Sequence, residues 1–325
     1  MTDIHACPSS LDPRYHSFSP SAKRHFLEGK AVSPILPYES LSAGSEPLEN
    51  KGRISLSGAQ AKLSAVIDGK VFRLTKEGEQ GTYIIKPALS YFENKEYSPA
   101  NENLTMQIAS QVYGIETAAN AVCFTRDGAQ VYVTKRYDVL ADGTRIQQED
   151  LASLAGITKD THGANYKYDA LDYVDLAGII KKFIPAWRIE LQKFFSLMLF
   201  NFVFSNGDAH AKNFSVIQTA AGDYRLSPAY DLINTLIHVP DDSIFALRKG
   251  LYPGWNPQFG ASGSDFRTFG TLIGLEERFI RNEIDRFCTD YPKTDTLIEN
   301  SFMSSSLKEH YADIYKGRIK YWLKY

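Results

Sequence analysis

Phe204-Ser205-Asn206-Gly207-Asp208-Ala209-His210-Ala211-Lys212-Asn213-Phe214 is the stretch on which the reading of this chain turns. Upstream of it, residues 189–204 (IELQKFFSLMLFNFVF) show no polar stripe after Lys193, which predicts a helix buried on most sides. Ser205-Asn206-Gly207 ends that helix with turn chemistry, and residues 214–217 (FSVI) predict a strand beyond it. Asp208 and Asn213 therefore share one loop anchored at both ends. A carboxylate and an amide so placed suit a general base beside a metal ligand. Asp231, in residues 226–232 (LSPAYDL), adds an isolated carboxylate after a hairpin-like stretch. Taken singly, each has a blander reading, as a turn Asp or an Asn capping a strand. In this order, a base, an amide and a distal Asp are what phosphoryl transfer from ATP needs around its magnesium ions.

Such chemistry also needs a phosphate cradle and a cation, and both have candidates upstream. Residues 55–60 (SLSGAQ) are small and polar, the composition of a backbone-lined cradle or of a plain turn. The alternation over residues 62–67 followed by Asp68-Gly69 is the strongest hairpin signal in the chain. Residues 81–87 (GTYIIKP) predict a strand that ends on Lys86, either in solvent or turned inward towards phosphates. A helix follows over 100–113, stopped by Gly114. Glu102 lies near its start, where the helix dipole favours an acid; it is either a surface acid or the partner of Lys86. Residues 121–124 and 130–138 predict another hairpin, and the end of its second strand is where an adenine hinge belongs.

Together the segments SLSGAQAKL, YIIKP, NENL, VTKRYD, QEDLASLAG, NGDAHAKNFSV and SPAYDL, over about residues 52–236, are similar to the HipA family of bacterial toxin Ser/Thr kinases. The short N-terminus most resembles HipT, the kinase of the three-component HipBST toxin–antitoxin systems. The resemblance implies an α+β, two-lobed protein-kinase-like (HipA/PI-kinase-like) fold. It would comprise an N-terminal segment (1–50), a small β-rich N-lobe (51–140) and a larger helical C-lobe (141–325). It further implies ATP and Mg2+ as cofactors. Asp208 would be the catalytic base, and Asn213 and Asp231 the metal ligands. Lys86, Ser57, Gly58, Ala59, Gln60, Lys135, Arg136, Tyr137 and His210 would bind ATP, residues 135–137 through their backbone, with Glu102 paired to the ATP lysine. Ser55 and Ser57 fall where family members autophosphorylate. Ser57 replaces an alanine of HipA, so there are two candidate acceptors. HipA also carries a subdomain before the phosphate loop that this chain lacks, which predicts a separate HipS-like small protein as partner beside a HipB-like DNA-binding antitoxin.

The remaining features bound the reading. At 325 residues the chain accommodates about two domains. Its 43% apolar and 23% charged residues are the balance of a globular protein with a real core. A net charge of -2 argues against a generally basic nucleic-acid binder, and no direct nucleic acid contact is expected. Cys7, Cys123 and Cys288 define neither a disulfide framework nor, with His5, a zinc site, so a reducing cytoplasm is the natural compartment. An effector exported without a signal would carry the same features. The longest apolar run, 194–204, falls short of the roughly 20 residues that span a bilayer, so no membrane is expected. Asp150 reads as the N-cap of a helix, residues 161–168 (THGANYKY) as a loop at the site's rim, and 169–183 as one helix. Asp241-Asp242-Ser243 reads as a solvated turn, Trp255 as a packing plug or a protein contact, and 265–323 as helices with a basic end. The expected function is a growth-halting protein Ser/Thr kinase whose substrate is an aminoacyl-tRNA synthetase, glutamyl by likeness to HipA or tryptophanyl by likeness to HipT. A non-catalytic nucleotide-binding module of an antitoxin–DNA complex and a small-molecule phosphotransferase are the alternatives.

Overall fold

The structure is a computed structural model that describes residues 3–41, 60–140, 142–240, 242–256 and 260–323. Ser55, Ser57, Gly58 and Ala59 lie outside the described residues. The chain divides into two compact units, one of Met1–Arg145, Ile237–Val239 and Tyr291–Tyr311, the other of Ile146–Leu236, Pro240–Asp290 and Ala312–Tyr325.

The first unit is built on a five-stranded antiparallel sheet of β1 (Leu63–Asp68), β2 (Val71–Leu74), β3 (Tyr83–Pro87), β4 (Asn120–Phe124) and β5 (Gln130–Lys135), in the order β2-β1-β3-β5-β4. Alternation along each strand divides its side chains between two faces. Tyr83, Ile85, Val131, Val133, Phe72 and Cys123 share one core, and the N-terminal segment closes it with Cys7, Phe18, Phe26 and Leu27. The same segment caps the β4 edge: Leu36 N–H donates to Phe124 O (2.7 Å) and Phe124 N–H to Pro34 O (2.9 Å). A paired edge leaves no row of open backbone groups.

Helix Ser98–Gln111 packs on strands β4 and β5, with Pro99 in its first turn and Gly114 (φ +62°) beyond its end. Nearly all of it is buried, so its polar side chains need partners inside the protein. Asn103 Nδ2 donates to Asn120 Oδ1 (2.8 Å), and Thr105 Oγ1 lies 2.9 Å from both the Asn101 carbonyl and Tyr311 Oη. His238 Nε2 is 3.0 Å from Asn101 Nδ2, and its Nδ1 is 2.9 Å from Glu93 O. One neutral tautomer satisfies both: Nδ1–H donates to the carbonyl, and Nε2 accepts from the amide.

The second unit centres on helix Trp187–Val203. Phe194, Phe195, Phe200 and Phe202 are buried along it, and Phe195 stacks on Phe269 at 6.0 Å. A small antiparallel sheet, β6 (Gln148–Asp150), β7 (Ser215–Gln218) and β8 (Tyr224–Leu226), holds the chain that follows. Asp150 does cap helix Leu151–Leu154. The stretch predicted as loop and one helix differs: residues 159–169 form two helical turns, Lys159–His162 and Tyr166–Asp169, and the long helix begins only at Tyr173. The break is Asp172, whose side chain accepts from Asp175 N–H in a capping box and so starts a new helix. Trp255 packs inward, its ring 5.3 Å from that of Phe245. Among the described residues no helix is long and apolar enough to cross a membrane.

Burial holds the His238 pKa below its ordinary 6.5, against the opposing pull of the Glu93 carbonyl and the Glu96 charge. A depressed histidine pKa contributes stability that is present above the unfolded value and lost as pH falls towards the folded one. Urea titrations should therefore show the unfolding free energy declining as pH drops below about 6.5. His238→Gln should be less stable at neutral pH and show a flatter decline.

Candidate active site

In the first unit, register and helix placement position a single cation. Lys86 in β3 lies opposite Tyr132 in β5, so both point to one face, and the ammonium sits 5.1 Å from the Tyr132 ring centroid. The carboxylate of Glu102 meets Lys86 Nζ at 2.6 Å, and both side chains are 4% exposed. Glu102 is therefore the lysine's partner and not a surface acid.

In the second unit, the loop after helix Trp187–Val203 is held by hydrogen bonds from several elements. Ser205 takes a left-handed conformation (φ +53°) that ends the helix, and Asn206 N–H donates to Asn201 O (2.7 Å). Thr235 Oγ1 donates to Ser205 O (3.0 Å) and accepts from Gly207 N–H (3.1 Å). A side chain on Gly207 would run into the Asp242 carboxylate and the Ser243 carbonyl, so this position admits only glycine. In the Asp241-Asp242-Ser243 stretch, Asp242 and Ser243 are half-buried and lie against Gly207; Asp241 lies outside the described residues.

Asp208 is buried at 7% exposure, and Tyr168 Oη–H donates to its Oδ1 at 2.9 Å. Asn213 ends the short turn Ala211–Asn213, and its Nδ2 donates to the Asp208 backbone carbonyl at 2.9 Å. That bond orients the amide and so sets the direction of its oxygen. Asp231 is half-buried and also left-handed (φ +55°), a conformation an aspartate tolerates better than most residues. Its carbonyl lies 3.4 Å from Asn206 Nδ2. The base candidate and both metal-ligand candidates thus belong to one laced pair of segments, 205–213 and 231–235.

Residues 54–294 match the family described as HipA-like C-terminal domain. The chain belongs to this family. It is 29% identical over 298 residues to "Putative kinase Y4mE" of Sinorhizobium fredii, covering 89% of this chain and 67% of that protein. It is 28% identical over 204 residues to the "Serine/threonine-protein kinase toxin HipA" of Shewanella oneidensis, covering 57% of this chain and 44% of the relative. Among solved structures, the HipA, HipB and operator DNA complex of Shewanella oneidensis MR-1 matches with a TM-score of 0.65 at 20% identity, covering 85% of this chain and 67% of that one. The α+β, HipA kinase fold expected from the motifs is the fold found.

The other HipA-like candidates are placed as follows. Gln60 Nε2 donates to Pro87 O (2.8 Å), next to Lys86 in the chain. The amides of Lys135 and Arg136 already donate to Ala119 O (2.8 Å) and Thr82 O (2.9 Å). Lys135 Nζ pairs with Glu28 at 3.1 Å. Burial pushes the Asp138 pKa up, but Arg136 and Arg145 hold it below the usual carboxylate range. His210 is buried, its ring 5.2 Å from that of Tyr168. Lys212, which the motif reading left without a role, pairs with Asp150 at 2.6 Å; burial opposes its charge, but that bond raises its pKa. Tyr168 belongs to the stretch read as a rim loop, but its contact with Asp208 is not legible there, because nothing in THGANYKY points to a carboxylate far along the chain.

Removing one partner of a buried ion pair strands the other charge. Glu102→Ala should cost about 3–5 kcal/mol of unfolding free energy. The double variant Lys86→Met with Glu102→Leu should recover most of that loss, as read by urea unfolding.

Proposed function

We propose that this chain is an ATP-dependent protein serine/threonine kinase that acts as the toxin of a toxin–antitoxin system. The observation that carries the reading is the buried Lys86–Glu102 pair. An ammonium fixed by a glutamate on a strand of a kinase-family chain is the group that holds the α- and β-phosphates of ATP. In this reading Lys86 neutralises those phosphates, residues Ser57 to Gln60 cradle them, His210 contributes to ATP binding, and the backbone of residues 135–137 meets adenine. Asp208 takes the proton of the acceptor hydroxyl. The acceptor oxygen bonds to the γ-phosphorus, the bond to the β–γ bridging oxygen breaks, and ADP leaves.

Asn213 and Asp231 would hold magnesium, and their donor set fits it: an amide oxygen and a carboxylate suit a hard cation whose remaining ligands are water and phosphate. Among the described residues no group of three or more His, Cys, Asp or Glu could hold a metal by itself, so such an ion would lean on the nucleotide. When bound, it offsets negative charge on the phosphate oxygens.

The finer parts of the proposal follow the likeness to HipA and HipT. Supporting a HipB-like antitoxin partner is the fold shared with a HipA chain solved with HipB and DNA. A HipS-like small protein is the second partner, and an aminoacyl-tRNA synthetase is the substrate. Phosphate on Ser55 or Ser57 would place close to two negative charges where those of ATP must sit.

Incubation with labelled ATP tests the reading. The wild-type chain should label itself at Ser55 or Ser57, located by mass spectrometry. Asp208→Ala and Lys86→Met should each lower the rate by at least about 100-fold. Nucleotide binding without any transfer would overturn the kinase reading in favour of a binding module.

A further inference from the structure

We propose that Tyr168 is a positioning residue for Asp208, setting the plane of its carboxylate through the phenolic hydroxyl; the inference rests on the kinase reading above. The hydroxyl donates to Asp208 Oδ1 at 2.9 Å, and Tyr168 is 3% exposed. The terminal torsion of an aspartate is broad, so an unheld carboxylate turns readily. A bond to Oδ1 fixes the plane and with it the direction in which Oδ2 presents its lone pairs. An acceptor proton can be taken only from a near-attack arrangement, in which that direction matters.

The tyrosine and the two residues after it are themselves held in place. Its ring stands edge-on to His210, with centroids 5.2 Å apart and an interplanar angle of 78°. Its carbonyl accepts from Arg248 N–H at 2.9 Å, and the next residue, Asp169, pairs with the Arg248 guanidinium at 2.9 Å. Lys249 Nζ donates to Ala170 O at 2.6 Å. The turn Tyr166–Asp169 is thereby pinned to residues 248–249, and Tyr168 carries that anchorage to Asp208. The Asp208 loop is independently fixed by Tyr173, whose hydroxyl donates to Ala209 O at 2.9 Å. Loss of the Tyr168 hydroxyl should therefore loosen the plane of the carboxylate without releasing the loop.

The bland alternative is a buried phenol that has merely found an acceptor. Tyr168→Phe separates the two, because it keeps the ring against His210 and removes only the hydroxyl. The single-turnover rate of self-labelling at saturating labelled ATP is measured for wild type, Tyr168→Phe, Asp208→Asn and the double variant, with ATP affinity and melting temperature alongside. A hydrogen bond to a charged group predicts a fall of roughly tenfold or more in the rate of Tyr168→Phe. ATP affinity should not change, and the variant should remain folded at the assay temperature although the lost buried bond lowers its melting temperature. In the Asp208→Asn background the second substitution should add nothing, since the group through which Tyr168 acts is gone. An unchanged rate, an additive fall in the double variant, or a loss of rate accompanied by lost ATP affinity or by unfolding at the assay temperature overturns the inference alone. Absence of label from the wild-type chain would overturn the kinase reading and this inference with it.

Discussion

A lysine ammonium and a glutamate carboxylate 2.6 Å apart, both almost sealed from water, set the terms for the first unit. Either ion alone would cost several kcal/mol to bury, so the pair persists only where backbone geometry holds the two ends together. Cross-strand register supplies one end by placing Lys86 opposite Tyr132. The helix beginning at Ser98 supplies the other, and its orientation is locked by Asn101, Asn103 and Thr105, each hydrogen-bonded inside the protein. A pair of apolar side chains would fill the same space at less cost. For that reason the ion pair weighs more as evidence of chemistry than as a source of stability.

The second unit places its polar groups by other means. Its loop sits at the end of a helix packed through buried aromatic residues, and hydrogen bonds with Thr235, Tyr173 and Tyr168 hold neighbouring positions. Close approach at Gly207 adds a steric constraint, since the Asp242 segment occupies the space any side chain would need. Two non-glycine residues in left-handed conformation, Ser205 and Asp231, stand at the start of the two laced segments. Such conformations persist when the surroundings over-determine them, and they concentrate at functional sites.

Much of this was legible in one sequence because it is written locally. The hairpin at Asp68-Gly69, the buried helix before Ser205 and the strand after Phe214 follow from periodicity and turn residues, which act over a few positions. Legibility failed where a local signal had two equal outcomes. Glu102 suited a helix N-terminus in solvent as well as an ion pair, and only the packing of helix on sheet decided. Residues 161–168 are polar and tyrosine-rich, which reads as loop, yet they form helical turns because capping by Thr158 and contacts with residues 248–249 favour them.

The sequence by itself determined the repertoire: which acids, amides and cations exist, in what order, on strand, helix or loop, and to which family the motifs point. Tertiary structure alone decided who meets whom. It brought His238 to Asn101, Arg248 to Asp169 and Tyr168 to Asp208. It also folded residues 291–311 into the same unit as the N-terminal sheet. The physical reason is that periodicity and turn preference report on neighbours along the chain. A hydrogen bond between residues forty or more positions apart depends on how buried faces pack, and that packing leaves no mark on the spacing of the residues it joins.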